Sequence, residues 1–115
     1  MGTNHESGQS RSRPQQAPSL GTVFEILSRK RRRHIIEALV EHRSLVMADL
    51  AELVTCAEHE IAFTDLDEQL VLETYTELWH VDIPKLEESG LIAYDQESDV
   101  VALAPAADAI DGFIF

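Results

Sequence analysis

The stretch "GLIAYDQESDVVAL", residues 90–103, limits the fold more than any other part of this sequence. Two β-rich runs, 91–94 and 100–103, flank the polar "DQESD" at 95–99, which is the pattern of a β-hairpin. An isolated two-stranded hairpin is marginal in water, so it has to pack on something else. That something lies upstream, where the apolar residues recur at helical spacing.

Residues 20–42 read as one or two helical segments. Val23, Phe24, Ile26 and Leu27 come first, and Ile35, Ile36, Leu39 and Val40 follow, with Ser28 placed to cap the second segment. "RSLV" at 43–46 is a short extended link, and 48–57 is a helix with Leu50, Leu53 and Val54 on one side. A loop covers 58–64, after which Thr64 and Asp65 offer caps with Asp67 and Glu68 as capping-box partners. A long helical pattern then runs from about 66 to 88 and stops at Gly90, a favourable residue just past a helix end. Leu72, Tyr75, Trp79, Ile83 and Leu86 form its core stripe, which gives Trp79 a structural role. Pro84 lies inside this helix, where it removes a backbone hydrogen bond and predicts a kink near His80. Pro105 follows the hairpin, and "AADAIDGFIF" at 106–115 reads as a short helix or apolar tail. The expected fold is therefore mainly α with a small β-hairpin: a winged helix-turn-helix of three helices, a wing and a short C-terminal helix. That shape serves DNA contacts in some proteins and protein contacts in others.

Residues 1–19 are rich in Ser, Gln, Gly, Pro and Arg and nearly free of large apolar side chains. Such a segment cannot offset its ordering entropy by burial, so it reads as a disordered tail, with 20–115 as one domain. No apolar run is long enough for a membrane span, and no apolar segment follows the tail's arginines as in a secretory signal. The single cysteine, Cys56, excludes an internal disulfide and fits a reducing cytoplasm. In "LVTCAEHE" it reads as a small buried hydrophobe.

Charge is distributed unevenly. The chain has a net charge of -12, yet seven of its nine Lys and Arg residues fall within 1–33. From 44 to 115 there are 17 acidic residues and one basic residue, Lys85. Acidic excess with little lysine resembles the proteins of salt-accumulating halophilic archaea, where salt near 1 M shortens the screening length to about 3 Å. The chain is expected to be less stable in dilute buffer, where its self-repulsion is unscreened.

The basic cluster "RKRRR" at 29–33 does not form one patch. At 3.6 residues per turn, Arg32 falls in the middle of the apolar stripe of Ile35, Ile36, Leu39 and Val40. Its expected role is structural, with the stem on apolar surface and the guanidinium paired to a carboxylate or a helix C-terminus. Lys30 lies on the opposite face, and Arg31 and Arg33 flank the stripe.

At 79–95, "WHVDIPKLEESGLIAYD", the chain resembles the winged-helix proteins widespread in halophilic archaea. The matching residues are His80, the Ile83-Pro84-Lys85-Leu86 step and the Glu88-Ser89-Gly90 turn into the hairpin. "LSRKRRRHIIEAL" is similar to the first-helix signature of that group and of ArsR-type repressors, with Arg32 three residues before Ile35, the first of the apolar pair Ile35-Ile36. The resemblance covers roughly residues 20–103 and implies transcription regulation by DNA binding.

Under that reading Lys30, Arg31, Arg33 and Lys85, with Arg11 and Arg13 of the tail, contact phosphate, and Thr76 and His80 reach base edges of double-stranded DNA. An apolar end with Ile110, Phe113, Ile114 and Phe115 points to a homodimer through the terminal segments. The alternative is a protein-interaction module. Asp65, Asp67, Glu68, Glu73, Glu77 and Asp82 make the third helix acidic, and Glu97 and Asp99 do the same for the wing, which suits a basic or apolar partner. Cys56 and His59 alone do not complete a metal site, so neither metal nor cofactor is expected. No phosphate loop or nucleophile–base pairing stands out, so no enzymatic activity is expected.

Overall fold

The computed structural model describes residues 19–105. The sequence expectations for the tail before Ser19 and for the terminal helix at 106–115 lie outside the described residues. The architecture is mainly helical with a small three-stranded antiparallel sheet.

Helix α1, Leu20–Ile26, begins at Ser19, whose hydroxyl accepts from the Thr22 amide at 3.1 Å. Ser28 does not cap the next helix as its position suggests. Its hydroxyl donates back to the Glu25 carbonyl at 2.7 Å, and extended Arg29 takes the N-cap position with no side-chain bond. Helix α2, Lys30–His42, ends at Arg43 with φ 67. The link at 43–46 proves to contain a strand, β1, Ser44–Val46. Helix α3, Met47–His59, starts without a side-chain cap; the Met47 amide donates to the Asp99 carbonyl at 3.0 Å instead. It stops at Glu60, which adopts the left-handed conformation with φ 55.

A short 3-10 turn, Phe63–Asp65, occupies the expected capping positions, so neither Thr64 nor Asp65 caps the long helix. Asp67 does, accepting from the Gln69 amide at 3.0 Å. Helix α4, Glu68–Glu77, passes into a π-helical turn, Leu78–Asp82, and then into α5, Ile83–Ser89. Pro84 accounts for the change of pitch. It has no amide proton for the His80 carbonyl and its ring crowds that carbonyl, so the chain widens by one residue ahead of it. The kink expected near His80 takes this form. Gly90 closes α5 with φ 89, and the Leu91 amide then reaches the Leu86 carbonyl at 3.2 Å. An L-residue here enters left-handed space, so Gly90→Ala is expected to lower stability by about 1–2 kcal/mol in urea unfolding.

Strands β2, Ile92–Asp95, and β3, Val100–Leu103, form the hairpin. The sheet order is β1-β3-β2, with Leu45 opposite Val101 and Tyr94 opposite Val101 on the other side. β1 thus covers the outer edge of β3. The core combines Ile35 and Leu39 of α2, Met47 and Leu50 of α3, Leu78, Ile83 and Leu86 of the long helix, and Leu91 and Val101 of the hairpin.

The long helix turns a different side inward from the one its apolar pattern suggests. Val71, Thr74, Leu78 and Asp82 face the interior ahead of Ile83 and Leu86. Leu72 is 57% exposed and Trp79 40% exposed, so Trp79 is not a core residue. The extra residue of the π turn shifts the phase between the two ends, and buried Thr74 and Asp82 hide the inner face from a hydropathy pattern.

Candidate nucleic-acid interface

The five consecutive basic residues are divided among different tasks. Arg31 reaches from α2 across to α3 and the end of α4. Its Nε and Nη2 donate to the two carboxylate oxygens of Glu58 at 2.7 and 3.0 Å, and its Nη1 donates to Glu77 Oε1. Asp82 Oδ2 lies 3.7 Å from the same Nη1. The Glu58 hydrogen bonds hold this guanidinium well above its ordinary pKa. Arg32 is 7% exposed, with Nε 3.4 Å from Asp82 Oδ1. Arg33 Nη1 donates to the Leu27 and Ser28 carbonyls at 2.8 and 3.2 Å, placing a cation on the C-terminal end of α1.

Arg31, expected at phosphate, thus has its guanidinium taken up by the protein's own carboxylates, while Arg33, expected there too, is exposed and gives only Nη1 to the two carbonyls. Arg29 and Lys30 stay exposed. The partners of Arg31 were not visible in the sequence, because Glu58, Glu77 and Asp82 come from distant stretches of it and carry no local signal.

Along α4 and the π turn, Gln69, Glu73, Thr76 and His80 are exposed at successive turns. The Thr76 hydroxyl donates to the Leu72 carbonyl at 2.8 Å, which leaves its oxygen free to accept. His80 lies beside Trp79, with ring centroids 6.5 Å apart. Trp79 in turn meets Tyr94 edge-on at 5.7 Å, which joins the long helix to the hairpin. A shallow groove of about 610 Å³ runs past His80, Val81, Pro84, Lys85, Glu87 and Glu88. The fold therefore brings His80 and Lys85 to one groove, with Thr76 a turn before them. Lys30 stands on a separate element, the first turn of α2. Carboxylates accompany this whole surface.

The hairpin tip is built from its own acids. Asp95 accepts from the Glu97 amide at 3.1 Å and the Ser98 hydroxyl at 2.9 Å, while Asp99 takes φ 60. The Tyr94 hydroxyl donates to Asp99 Oδ1 at 2.6 Å. That hydrogen bond, with burial and the Asp99 charge adding to it, pushes the phenol up to about 12. The bond's contribution to stability is full below the ordinary phenol value and is lost as pH rises through about 12. An ultraviolet titration of the folded protein is expected to show a tyrosinate step near pH 12 that Tyr94→Phe removes. Ionisation of Tyr94 at the ordinary value of 10.0 contradicts the assignment.

Residues 24–102 match DUF7344, a domain of unknown function. The chain belongs to the DUF7344 family. The match starts inside α1 and ends in β3, so it includes the arginine network, the groove and the hairpin of this DUF7344 domain. No curated protein and no solved structure matches the chain.

Among the described residues, no group of three or more His, Cys, Asp or Glu is placed to hold a metal ion. Cys56 is half-buried rather than buried, and desolvation together with Glu52 pushes its thiol above the ordinary value, which lowers its reactivity. No helix among the described residues is long and apolar enough to cross a membrane.

Proposed function

We propose that this DUF7344 domain is a winged helix-turn-helix protein of the cytoplasm that binds double-stranded DNA and regulates transcription. The observation that carries the reading is the element order. Two helices, a short strand, a third helix, the long helix made of α4, the π turn and α5, and a hairpin follow one another, and β1 pairs with the returning strand of that hairpin. This order puts the long helix and the hairpin side by side, joined at Trp79 and Tyr94. In this reading Thr76 and His80 meet base edges, and Lys85 meets phosphate beside them. Lys30, with Arg11 and Arg13 of the N-terminal residues, adds sequence-independent affinity. Arg31 and Arg33 are left out of the contact set and hold the helices instead. Two copies act together to match two half-sites. The sequence puts that pairing at the terminal segments, of which α1 is described, with Leu20 and Phe24 exposed.

The test is titration of labelled genomic duplex fragments with the protein in molar KCl. Binding weakened by Lys85→Glu with the fold unchanged supports the reading. No binding at any salt concentration, with the fold intact, overturns it. A second reading, a protein-interaction module, is favoured by one observation: Glu73 and Glu77 stand exposed along the same helix as Thr76 and His80. It predicts no duplex binding and affinity for a basic or apolar partner instead.

A further inference from the structure

A mostly apolar cleft of about 350 Å³ lies where α3 meets the start of α4. Leu66, Val71, Leu72 and Tyr75 line it, and Glu52 and Glu68 stand among them. From 44 to 84 the chain has no Lys or Arg, and neither Glu52 nor Glu68 has an ion-pair partner among the described residues. An occupant therefore has to bring large apolar side chains and cations together.

We propose that the cleft receives the α1–α2 corner of a second copy of this chain. That corner has both properties. Leu20 and Phe24, one turn apart on α1, are 48% and 65% exposed. Arg29 and Lys30 follow at the end of the same corner, exposed and with no side-chain partner among the described residues. The chain's other segments each lack one half of the match. Residues 106–115 supply Ile110, Phe113, Ile114 and Phe115, but Asp108 and Asp111 come with them and repel Glu52 and Glu68. Residues 1–18 supply Arg11 and Arg13 with almost no large apolar side chain.

Among the described residues nothing covers the corner or the cleft, and the proposed contact joins the corner of one copy to the cleft of another. Two copies that exchange corners close a two-fold pair, with each contact made twice. Phe24 then packs against Leu72 and Tyr75, and Arg29 faces Glu52 and Glu68. None of this depends on duplex binding, which the titration above reads separately.

The experiment is sedimentation of the full chain over a micromolar to millimolar range. The wild-type chain pairs. Phe24→Asp and Leu72→Asp each weaken pairing by about tenfold or more, as expected for central apolar contacts. Both positions are exposed, and far-ultraviolet circular dichroism verifies that each variant is folded. The decisive sample mixes the two variants. Phe24→Asp keeps an intact cleft and Leu72→Asp an intact corner, so the mixture associates more strongly than either variant alone. The proposal is overturned if the wild-type chain stays monomeric throughout. It is equally overturned if the mixture gains nothing over its components, the mark of a like-with-like contact. Loss of pairing in Ile114→Asp while Leu72→Asp pairs normally overturns it too, by placing the contact at the C-terminal residues.

Discussion

Asp82→Ala is expected to destabilise the domain by about 3–5 kcal/mol, the loss typical of a buried ion pair deprived of one partner. Asp82 is 6% exposed and Arg32 7% exposed, and the carboxylate is the one acid paired with Arg32 among the described residues. Removing it strands a guanidinium in the interior between α2 and the π turn. The pair itself is a weak source of stability. Burial pushes the Asp82 carboxyl above its ordinary value, and the pull of Arg31 and Arg32 in the other direction does not cancel it. Desolvation therefore outweighs attraction. It follows that replacing both partners with leucine is far milder than removing one, and can stabilise by about 1–4 kcal/mol. Urea unfolding of Asp82→Ala and of the Arg32→Leu/Asp82→Leu double variant in molar KCl checks both halves. A double variant as damaged as the single one contradicts this account of the pair.

The second large effect distinguishes two registers of the long helix. Leu78→Ala is expected to lower stability by about 2–5 kcal/mol, because it empties a fully enclosed site with little room to collapse. Leu78 is 0% exposed and sits at the start of the π turn, facing the core. Trp79→Ala, its neighbour, removes a larger side chain but one that rests on Tyr94 at the surface, so its loss is expected to be the smaller. An apolar stripe through Trp79 predicts the reverse order. Parallel urea curves for the two variants decide between the registers, and a larger loss for Trp79→Ala sinks the one described here.

Much of the architecture can be read from local chemistry. Gly90, the "DQESD" turn and the β-rich runs beside it mark the hairpin without any tertiary information, and Pro84 announces an irregular helix. The position of Arg32 within the apolar stripe of α2 follows from spacing alone. What escapes the sequence is what long-range packing decides. β1 is three residues long, too short for an alternating pattern to declare itself, and only its pairing with β3 makes it a strand. The inner face of the long helix includes Thr74 and Asp82, which a hydropathy pattern assigns to solvent. Leu72, which the same pattern assigns to the core, lines an open cleft.

The basic cluster shows the same division at the candidate site. Arg31 and Arg33 differ from Lys30 only by the groups that folding brings within reach. Glu58 and Glu77 come from α3 and α4, and the Leu27 and Ser28 carbonyls are left open where α1 ends. Five cations in a row thus become two without a side-chain partner among the described residues and three that hold helices together.

The salt dependence of duplex binding tests the central claim most directly, since each phosphate contact removed flattens the plot of log affinity against log salt by about 0.9. Lys30→Gln and Lys85→Gln are each expected to reduce the slope by that amount, about 0.9 per lysine, while the urea midpoint stays unchanged. Wild-type binding whose slope neither substitution alters, or no binding to duplex at any salt concentration, contradicts the account.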